Sequence, residues 1–356
     1  MIVQNLYLEH FRCYEKAYFE FSPHLNLICG PNARGKTSLL EALHLLMIGR
    51  SFRTTQNRDL IKHQASYYQL QINFIKHGVE QTLRFVSSTE EKKIFLNTTA
   101  LHSLSSLLGL IPGVLQTPDD ISLIKGSPQK RRQFLDIQIA QTDPLYVHHL
   151  MRYKKAMQQR NQLLRLKKLA AIEVWEEEMG QSAAYLTLKR YHTIQNLQYH
   201  CKSLYPSLTA EAAHFTLKYR TQAFITDSIK HHEIKSFFLK QYQKFREREK
   251  VLGYTLYGAH KDDFQLMIND QDVRFFASEG QQRSCITTLH LAEWLNLKQT
   301  GKELPLFLID DASLGLDKER SKRLILQFSQ LGQIFLTTTD QTLFSHYLGN
   351  KKAFAL

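Results

Sequence analysis

Gly30-Pro31-Asn32-Ala33-Arg34-Gly35-Lys36-Thr37 is the stretch on which the fold turns. It follows the apolar run Leu25–Cys29 and precedes a helical periodicity with Leu39, Leu40, Leu43, Leu46 and Met47 on one side. The octet satisfies GxxxxGK[ST] in full. Glycines at 30 and 35 let the backbone curl without Cβ clashes, so that successive N–H groups converge on an anion. The helix starting near Lys36 adds the positive end of its dipole. In such a loop the lysine, Lys36, reaches the β- and γ-phosphates of ATP, and the hydroxyl of Thr37 is a ligand for Mg2+. A chance match in a chain this long has a probability on the order of 1% at average composition. The bland alternative is a glycine turn capping a core helix. The strand before and the helix after are the context that the phosphate reading requires.

Such a loop needs a carboxylate at the end of a neighbouring strand, and Leu306-Phe307-Leu308-Ile309-Asp310-Asp311 supplies one. Four apolar residues make a fully buried strand, so ionised carboxylates fit only at its open end. Asp310 is placed to bind Mg2+ directly or through water, and Asp311 to orient and activate an attacking water. A DD pair after an apolar strand is a weak signal alone; beside a complete phosphate loop it is strong. The wide gap between Lys36 and Asp310 far exceeds one βαβ repeat, so a large insertion separates the two halves of the site.

That insertion has its own character. Up to Pro118 the chain reads as short strands: Ile2, Leu6 and Leu8, then Tyr14 to Phe21, then an antiparallel meander over 68–75, 79–86 and 93–96. From about 119 to 248 it is rich in Leu, Gln, Lys, Arg and Tyr at helical spacing. Long helices are expected over 145–169 and 172–199, with a strand over 214–220 and no strict heptads. Strand patterns return after Gly253: 263–268 and 273–276 about a turn at 269–272, a helix over 280–298, the strand 305–309, a helix over 318–331 and the strand 333–336. The expected fold class is α/β, a mixed sheet with helices plus an antiparallel meander. The expected domains are 1–118 together with 249–356, and a mainly helical inserted lobe, 119–248.

Composition sets the outer limits. The 356 residues carry 46 Lys+Arg against 33 Asp+Glu, a formal +13, with 43% hydrophobic and 22% charged residues. Those values exclude wholesale disorder and raise the prior for a polyanionic partner, DNA or RNA. No run approaches the ~18 apolar residues of a membrane span. The start of the chain lacks a secretion pattern, so a cytoplasmic protein is expected. Cys13, Cys29, Cys201 and Cys285 are scattered and the histidines have no ligand spacing, which leaves reduced thiols and no zinc site.

Ala277-Ser278-Glu279-Gly280-Gln281-Gln282-Arg283-Ser284 opens a helix with a serine and a glycine. Taken alone it is an ordinary N-cap with exposed N–H groups. The order changes its meaning: phosphate loop, long insertion, SxGQ helix start, DD strand, and a further strand ending in Thr337-Thr338-Thr339-Asp340. This is the layout of P-loop ATP-binding-cassette (ABC) type ATPase heads, where the serine-glycine element meets the γ-phosphate bound by an opposite subunit. Two copies would then sandwich two ATP molecules. Thr339 stands at the switch position, where many such heads carry histidine, and Leu316-Asp317 at the dimer-contact loop.

The chain as a whole resembles the RecF family of bacterial recombination mediator ATPases, related to SMC and Rad50 heads. The resemblance rests on His10-Phe11-Arg12, residues 30–37, Gly49-Arg50-Ser51-Phe52-Arg53-Thr54, Thr117-Pro118-Asp119-Asp120, and Pro128 with 131–136. It also rests on 258–263, 276–283, and Asp310-Asp311 with Leu316-Asp317. Ala33 stands where glycine is usual, Leu314-Gly315 where Ser-Glu is usual, and Ala259 and Lys261 where Pro and Arg are. The glutamine of other cassette heads is Pro118 here, with Gln116 nearby. The resemblance implies nucleotide contacts from Arg12, from Gly30, Pro31, Asn32, Ala33, Arg34, Gly35, Lys36, Thr37 and Ser38, and from Ser278, Gly280 and Gln281. It implies catalysis by Lys36, Asp310, Asp311 and Thr339, with metal ligation by Thr37 and Asp310. It further implies slow, DNA-dependent ATP hydrolysis, an ATP-dependent homodimer on single- and double-stranded DNA at junctions, and a link through RecR and RecO to RecA loading in gap repair and fork recovery.

Phosphate contacts need only accessible Lys or Arg and carry no sequence preference. The candidates are Arg50, Arg53 and Arg58, then Lys125, Lys130, Arg131 and Arg132, then Lys154, Lys155 and Arg160; any of them could equally lie on a solvated face, and Arg131-Arg132 and Arg50 with Arg53 could instead hold the two lobes together. Other readings are an SMC/Rad50-like head sensing DNA ends, a nucleotide-independent DNA-binding module and a transporter ATPase subunit. The missing heptad array, the complete catalytic set and the lobe size respectively weigh against them.

Overall fold

The computed structural model describes residues 1–210, 213–301, 303–311, 323–325, 327–328, 330–339 and 351–356. The chain forms two units: 1–121 with 200–213 and 277–356, and 122–199 with 214–276.

In the first unit, alternation and continuous apolarity build two different sheets. Strands β1 (Ile2–Phe11), β2 (Tyr14–Glu20), β4 (Tyr67–Lys76), β5 (Val79–Ser88), β6 (Lys92–Leu96) and β7 (Thr99–Leu101) form an antiparallel sheet in the order β2-β1-β4-β5-β6-β7. In β4, Tyr68, Leu70, Ile72 and Phe74 are fully buried while the residues between them are not, the period of a sheet with one covered face. The second sheet is wholly parallel. Its strands are β3 (Leu25–Cys29), β8 (Gly113–Gln116), β12 (Leu306–Ile309), β13 (Ile334–Thr338) and β14 (Lys351–Ala355), in the order β14-β3-β13-β12-β8. Because β3, β13 and β12 are neighbours and parallel, the loop after Cys29, the residues after Thr338 and Asp310 all leave the sheet at one edge, where α/β sheets bind ligands.

Helix α1 (Lys36–Ile48) is buried on every side from Ser38 onward, and not only along the single apolar stripe expected from its leucines. It touches β1 and β4 of one sheet and β12 and β13 of the other, and a helix covered by both needs no polar face. Helix α8 (Glu279–Thr300) is similarly buried from Ser284 to Leu297 apart from Leu295, and its Trp294 indole donates to the Pro305 carbonyl at 2.9 Å. Around it lie Leu27, Val114, Leu291, Phe307, Phe328 and Ile334.

The second unit contains α2 (Ser122–Lys125), α3 (Pro128–Ala140), α4 (Pro144–Leu166), α6 (His231–Leu252) and α7 (Val273–Phe276). It also contains the antiparallel strands β9 (Phe215–Arg220), β10 (Asp263–Ile268) and β11 (Gln271–Asp272). Helix α5 (Ile172–Thr209) contributes 172–199 here and its last turns to the first unit. Tyr146, Tyr153, Met179, Phe238 and Tyr242 are central to this core.

The boundaries differ from 119–248 for two physical reasons. Strand β10 pairs along its whole length with β9, so 249–276 belongs with the inserted unit. Leu204 and Leu208, at the end of α5, pack into the first unit's core. A second difference is 273–276, which is helical: the turn at Asn269 and Asp270 leaves only two residues to pair before Asp272 Oδ1 accepts from the Arg274 N–H at 2.9 Å and starts a helical turn. Leu314 to Asp317, Asp340 and half of 318–331 lie outside the described residues.

Candidate ATP-binding site

The phosphate loop runs from β3 into α1. Gly30 and Gly35 have φ of 152° and 98°, a region that L side chains avoid, and a Cβ on Gly30 would lie 2.3 Å from the Leu356 carbonyl oxygen. Ala33 sits at φ 66°, left-handed backbone that glycine adopts freely and alanine at a cost of roughly 1–2 kcal/mol. The departure at this position is thus carried as local strain. Gly35 is also the N-cap of α1, and Pro31 to Arg34 are exposed to solvent. The Lys36 ammonium donates to the carbonyls of Gly30 and Pro31 at 2.6 and 2.7 Å. Ser38 is buried at the first turn of α1.

Asp310 is joined to this loop directly. Its Oδ1 accepts from the Thr37 hydroxyl at 2.9 Å and from the Thr337 hydroxyl at 2.8 Å. Burial pushes the Asp310 carboxyl above the usual carboxylate range, and the two hydroxyls offset that only in part. The donors are all hard oxygens, two of them 2.9 Å apart on residues brought together from positions 37 and 310, which fits a hard divalent cation such as Mg2+. Among the described residues there is no His/Cys/Asp/Glu cluster of the kind that holds a metal by side chains alone.

Thr337 was not among the expected site residues, yet it organises the strand end: besides holding Asp310 it accepts from the Asp311 N–H at 2.8 Å. Asp311 is exposed and has φ 59°, so its carboxylate is aimed by a left-handed backbone. A threonine closing a buried strand beside the DD strand was the available signal. Thr339 is exposed in the bend after β13.

Ser278 is the N-cap of α8. Its hydroxyl accepts from the Gln281 N–H at 3.3 Å while the Gln281 side chain accepts from the Ser278 N–H at 3.0 Å, a complete capping box. Ser278 is exposed and Gly280 half-buried. Arg12 has φ 53° and gives its guanidinium to buried Glu41 at 2.6 and 2.8 Å and to the Asp59 carbonyl at 2.7 Å. Its polar contacts are those of an anchor between β1 and α1. Gln116 donates to Thr287 of α8 at 2.9 Å.

The candidate phosphate-contacting cations divide. Arg131 forms a two-point pair with Asp263 at 2.7 and 2.9 Å and donates to the carbonyls of Leu123 and Gly126, and Arg160 is fully buried against Glu176, Glu249 and Thr255. Neither is free to meet a phosphate: Asp263, 132 residues on, closes Arg131, and Glu176 and Glu249 close Arg160, pairings that spacing in the sequence does not reveal. Arg132 donates to the Asp262 carbonyl at 2.8 Å, and Arg53 reaches Glu41 at 3.4 Å. Arg50, Arg58, Lys125, Lys130, Lys154 and Lys155 are exposed.

Known proteins resemble this chain along nearly its whole length. A family model described as an AAA domain matches residues 5–283. The DNA replication and repair protein RecF of Protochlamydia amoebophila is 56% identical over all of this chain and 99% of its own length. That of Chlamydia abortus is 38% identical over 95% of this chain and 92% of its own. A solved structure of the recombination mediator protein RecF with ATP, in the RecFOR pathway, superposes with a TM-score of 0.90 at 28% identity, covering 99% of this chain and 95% of that one. An Smc head domain of Pyrococcus furiosus gives a TM-score of 0.56 at 18% identity, a likeness of fold.

Phosphate loop, DD strand and capped helix on this pair of sheets define an ABC-type ATPase head. Within that class the chain belongs to the RecF family of ATP-binding DNA replication and repair proteins, and the reading as an SMC/Rad50-like end sensor is not favoured. Among the described residues no helix is long and apolar enough to cross a membrane.

Proposed function

We propose that two copies of this chain close on two ATP molecules to form a clamp on DNA, and that slow Mg2+-dependent hydrolysis, stimulated by DNA, opens it. The observation that carries the reading is Asp310, a buried carboxylate bridged to the phosphate loop by Thr37 and to the last core strand by Thr337. In this reading the N–H groups of 30–37, with Lys36 and Ser38, hold the triphosphate, and Thr37 and Asp310 hold Mg2+, whose charge would offset that of the phosphates. Asp311 orients the attacking water and Thr339 donates a hydrogen bond near the γ-phosphate. Ser278, Gly280 and Gln281 complete the nucleotide bound by the other copy. Nucleotide can drive closure only through contacts made in the closed state, and an exposed, capped helix start is suited to that. The site acts in the cytoplasm on junctions between single- and double-stranded DNA, with RecR and RecO as partners in RecA loading, as the family name and the RecFOR pathway suggest.

Two variants test the clamp. Asp311→Asn accumulates an ATP-bound dimer and Ser278→Arg stays monomeric with ATP, by light scattering; both remaining monomeric would refute the reading. Lys36→Ala removes ATP binding and lowers turnover at least about a hundredfold, a loss on the scale of several kcal/mol of transition-state stabilisation.

A further inference from the structure

The positive charge is concentrated in the second unit. Its residues carry 24 Lys+Arg against 14 Asp+Glu, a formal +10 of the chain's +13. Most of its buried or half-buried arginines are neutralised internally: Arg131 by Asp263, Arg160 by Glu176 and Glu249, Arg190 by Asp136 and Asp262, and Arg246 by Glu173 and Glu176. The excess is therefore displayed at the surface.

Helix α6 displays part of it in register. Lys235, Arg246 and Lys250 are held by Glu177, Glu173 with Glu176, and Glu247 respectively. Lys240, Lys244 and Arg248 are exposed, and no described carboxylate lies within 4.0 Å of any of them. They recur at i, i+4 and i+8, so they share one ridge of the helix about 6 Å apart along its axis. Exposed His232 lies on the same ridge two turns earlier. The opposite face, with Ile234, Phe238 and Tyr242, is buried in the core, so the ridge cannot turn inward. The other acids of the helix are occupied: Glu233 accepting from the Lys230 N–H at 2.7 Å, Glu247 with Lys250, and Glu249 with Arg160.

Like charges at i, i+4 repel one another, and exposed cations that meet no carboxylate, with Lys244 lying only over the Phe245 ring at 5.4 Å, are placed for an external anion. One strand of a duplex presents a phosphate about every 3.4 Å of rise, so a ridge of about 12 Å spans about four of them. We infer that the Lys240–Lys244–Arg248 ridge of α6 is a contact surface for the sugar-phosphate backbone of nucleic acid. It is sequence-independent and uses residues other than the cations that the sequence alone suggested. The inference rests on the clamp reading for its partner and adds where on the inserted unit that partner lies.

The test uses the full chain and its triple variant Lys240→Ala, Lys244→Ala, Arg248→Ala. Binding to a labelled duplex of arbitrary sequence, about 30 base pairs long, is followed by anisotropy over a range of KCl concentrations. The expected result is a log–log salt slope shallower by about 2.7, at about 0.9 per lost phosphate contact, with affinity at least about tenfold weaker at 0.1 M salt. ATP binding and the thermal midpoint stay as in the parent chain. The charge-preserving variant Lys240→Arg, Lys244→Arg, Arg248→Lys restores the slope; if it does not, the ridge acts structurally and the inference is wrong. A parent chain that binds the duplex with a slope the triple variant leaves unchanged overturns the inference alone, and would suit an acidic protein as the occupant. A parent chain that does not bind the duplex overturns the clamp reading as well.

Discussion

Two buried aspartates, Asp310 in the first unit and Asp262 in the second, face the same penalty and meet it differently. Burial pushes both carboxyls up. Asp262 is closed: Arg190 reaches its Oδ2 at 3.1 Å, and Tyr219 and Thr187 donate to the same atom at 2.7 and 3.0 Å. Asp310 has two hydroxyls and, among the described residues, no cation within 4.0 Å. The first arrangement neutralises a charge with a charge and gives a fixed core. The second leaves negative charge at the open edge of a parallel sheet, beside a loop whose N–H groups attract an anion, and is electrostatically complete only when a cation bridges the two. Buried carboxylates of similar exposure can therefore serve structure or chemistry, and the partner set distinguishes them.

If that contrast is right, the largest loss of stability comes from the closed site. Arg190 also holds Asp136 at 2.8 Å and the Ala259 carbonyl at 2.6 Å. Arg190→Met leaves the buried Asp262 and the half-buried Asp136 without their cation and costs about 3–5 kcal/mol. Urea denaturation at neutral pH measures it. The deficit shrinks as pH falls, because Asp262, already pushed up by burial, escapes by protonation. A loss under 1 kcal/mol would mean that the pair is screened and the distinction from Asp310 is empty.

The open site was much more legible in the sequence than the closed one. Gly30 to Thr37 is contiguous, and Asp310 ends an unbroken apolar strand, so each half of the site is a local pattern whose chemistry dictates its spacing. The carboxylate partners of Arg131, Arg160 and Arg190 lie from 16 to 132 residues away, with no spacing rule, which is why two of these arginines read as candidate phosphate contacts. Strand β8 was missed because four residues, Gly113-Val114-Leu115-Gln116, are too short for a period to declare itself. Strand β14 was missed because Lys351-Lys352-Ala353-Phe354-Ala355 is a polar edge strand that, among the described residues, pairs with β3 alone. The helical stripe of α1 was over-read for the opposite reason, since two covering sheets leave no polar side to mark.

A smaller effect is expected at Thr337, whose hydroxyl serves both Asp310 and the Asp311 N–H. Thr337→Val keeps the shape and removes both hydrogen bonds, at about 1–3 kcal/mol for the unsatisfied partners. Turnover falls more than ATP affinity does, because the lost bonds aim the two carboxylates while the phosphate loop is untouched. Equal falls in both would show that Thr337 supports the loop and not the strand end.

The smallest change in stability is expected from Asp310→Asn, and its sign sharpens the comparison most. The folded-state pKa of Asp310 is raised above the unfolded one by burial, so folding favours the protonated form. Whatever stability this carboxyl contributes is present below the unfolded pKa, near 3.9, and is lost as pH rises through the raised folded value. At neutral pH the asparagine variant, which carries no charge to desolvate, should equal or exceed the parent in thermal midpoint without ligands, with the two curves converging at acid pH. Adding ATP with Mg2+ should reverse the order, stabilising the parent and not the variant, since ligand binding to the folded state raises its midpoint by mass action. Asparagine here should also remove turnover, because a neutral amide cannot hold the cation that the edge requires. Were Asp310→Asn instead to destabilise the ligand-free protein as severely as Arg190→Met, the carboxylate would be a structural partner like Asp262, and the open edge of the sheet would owe its charge to packing.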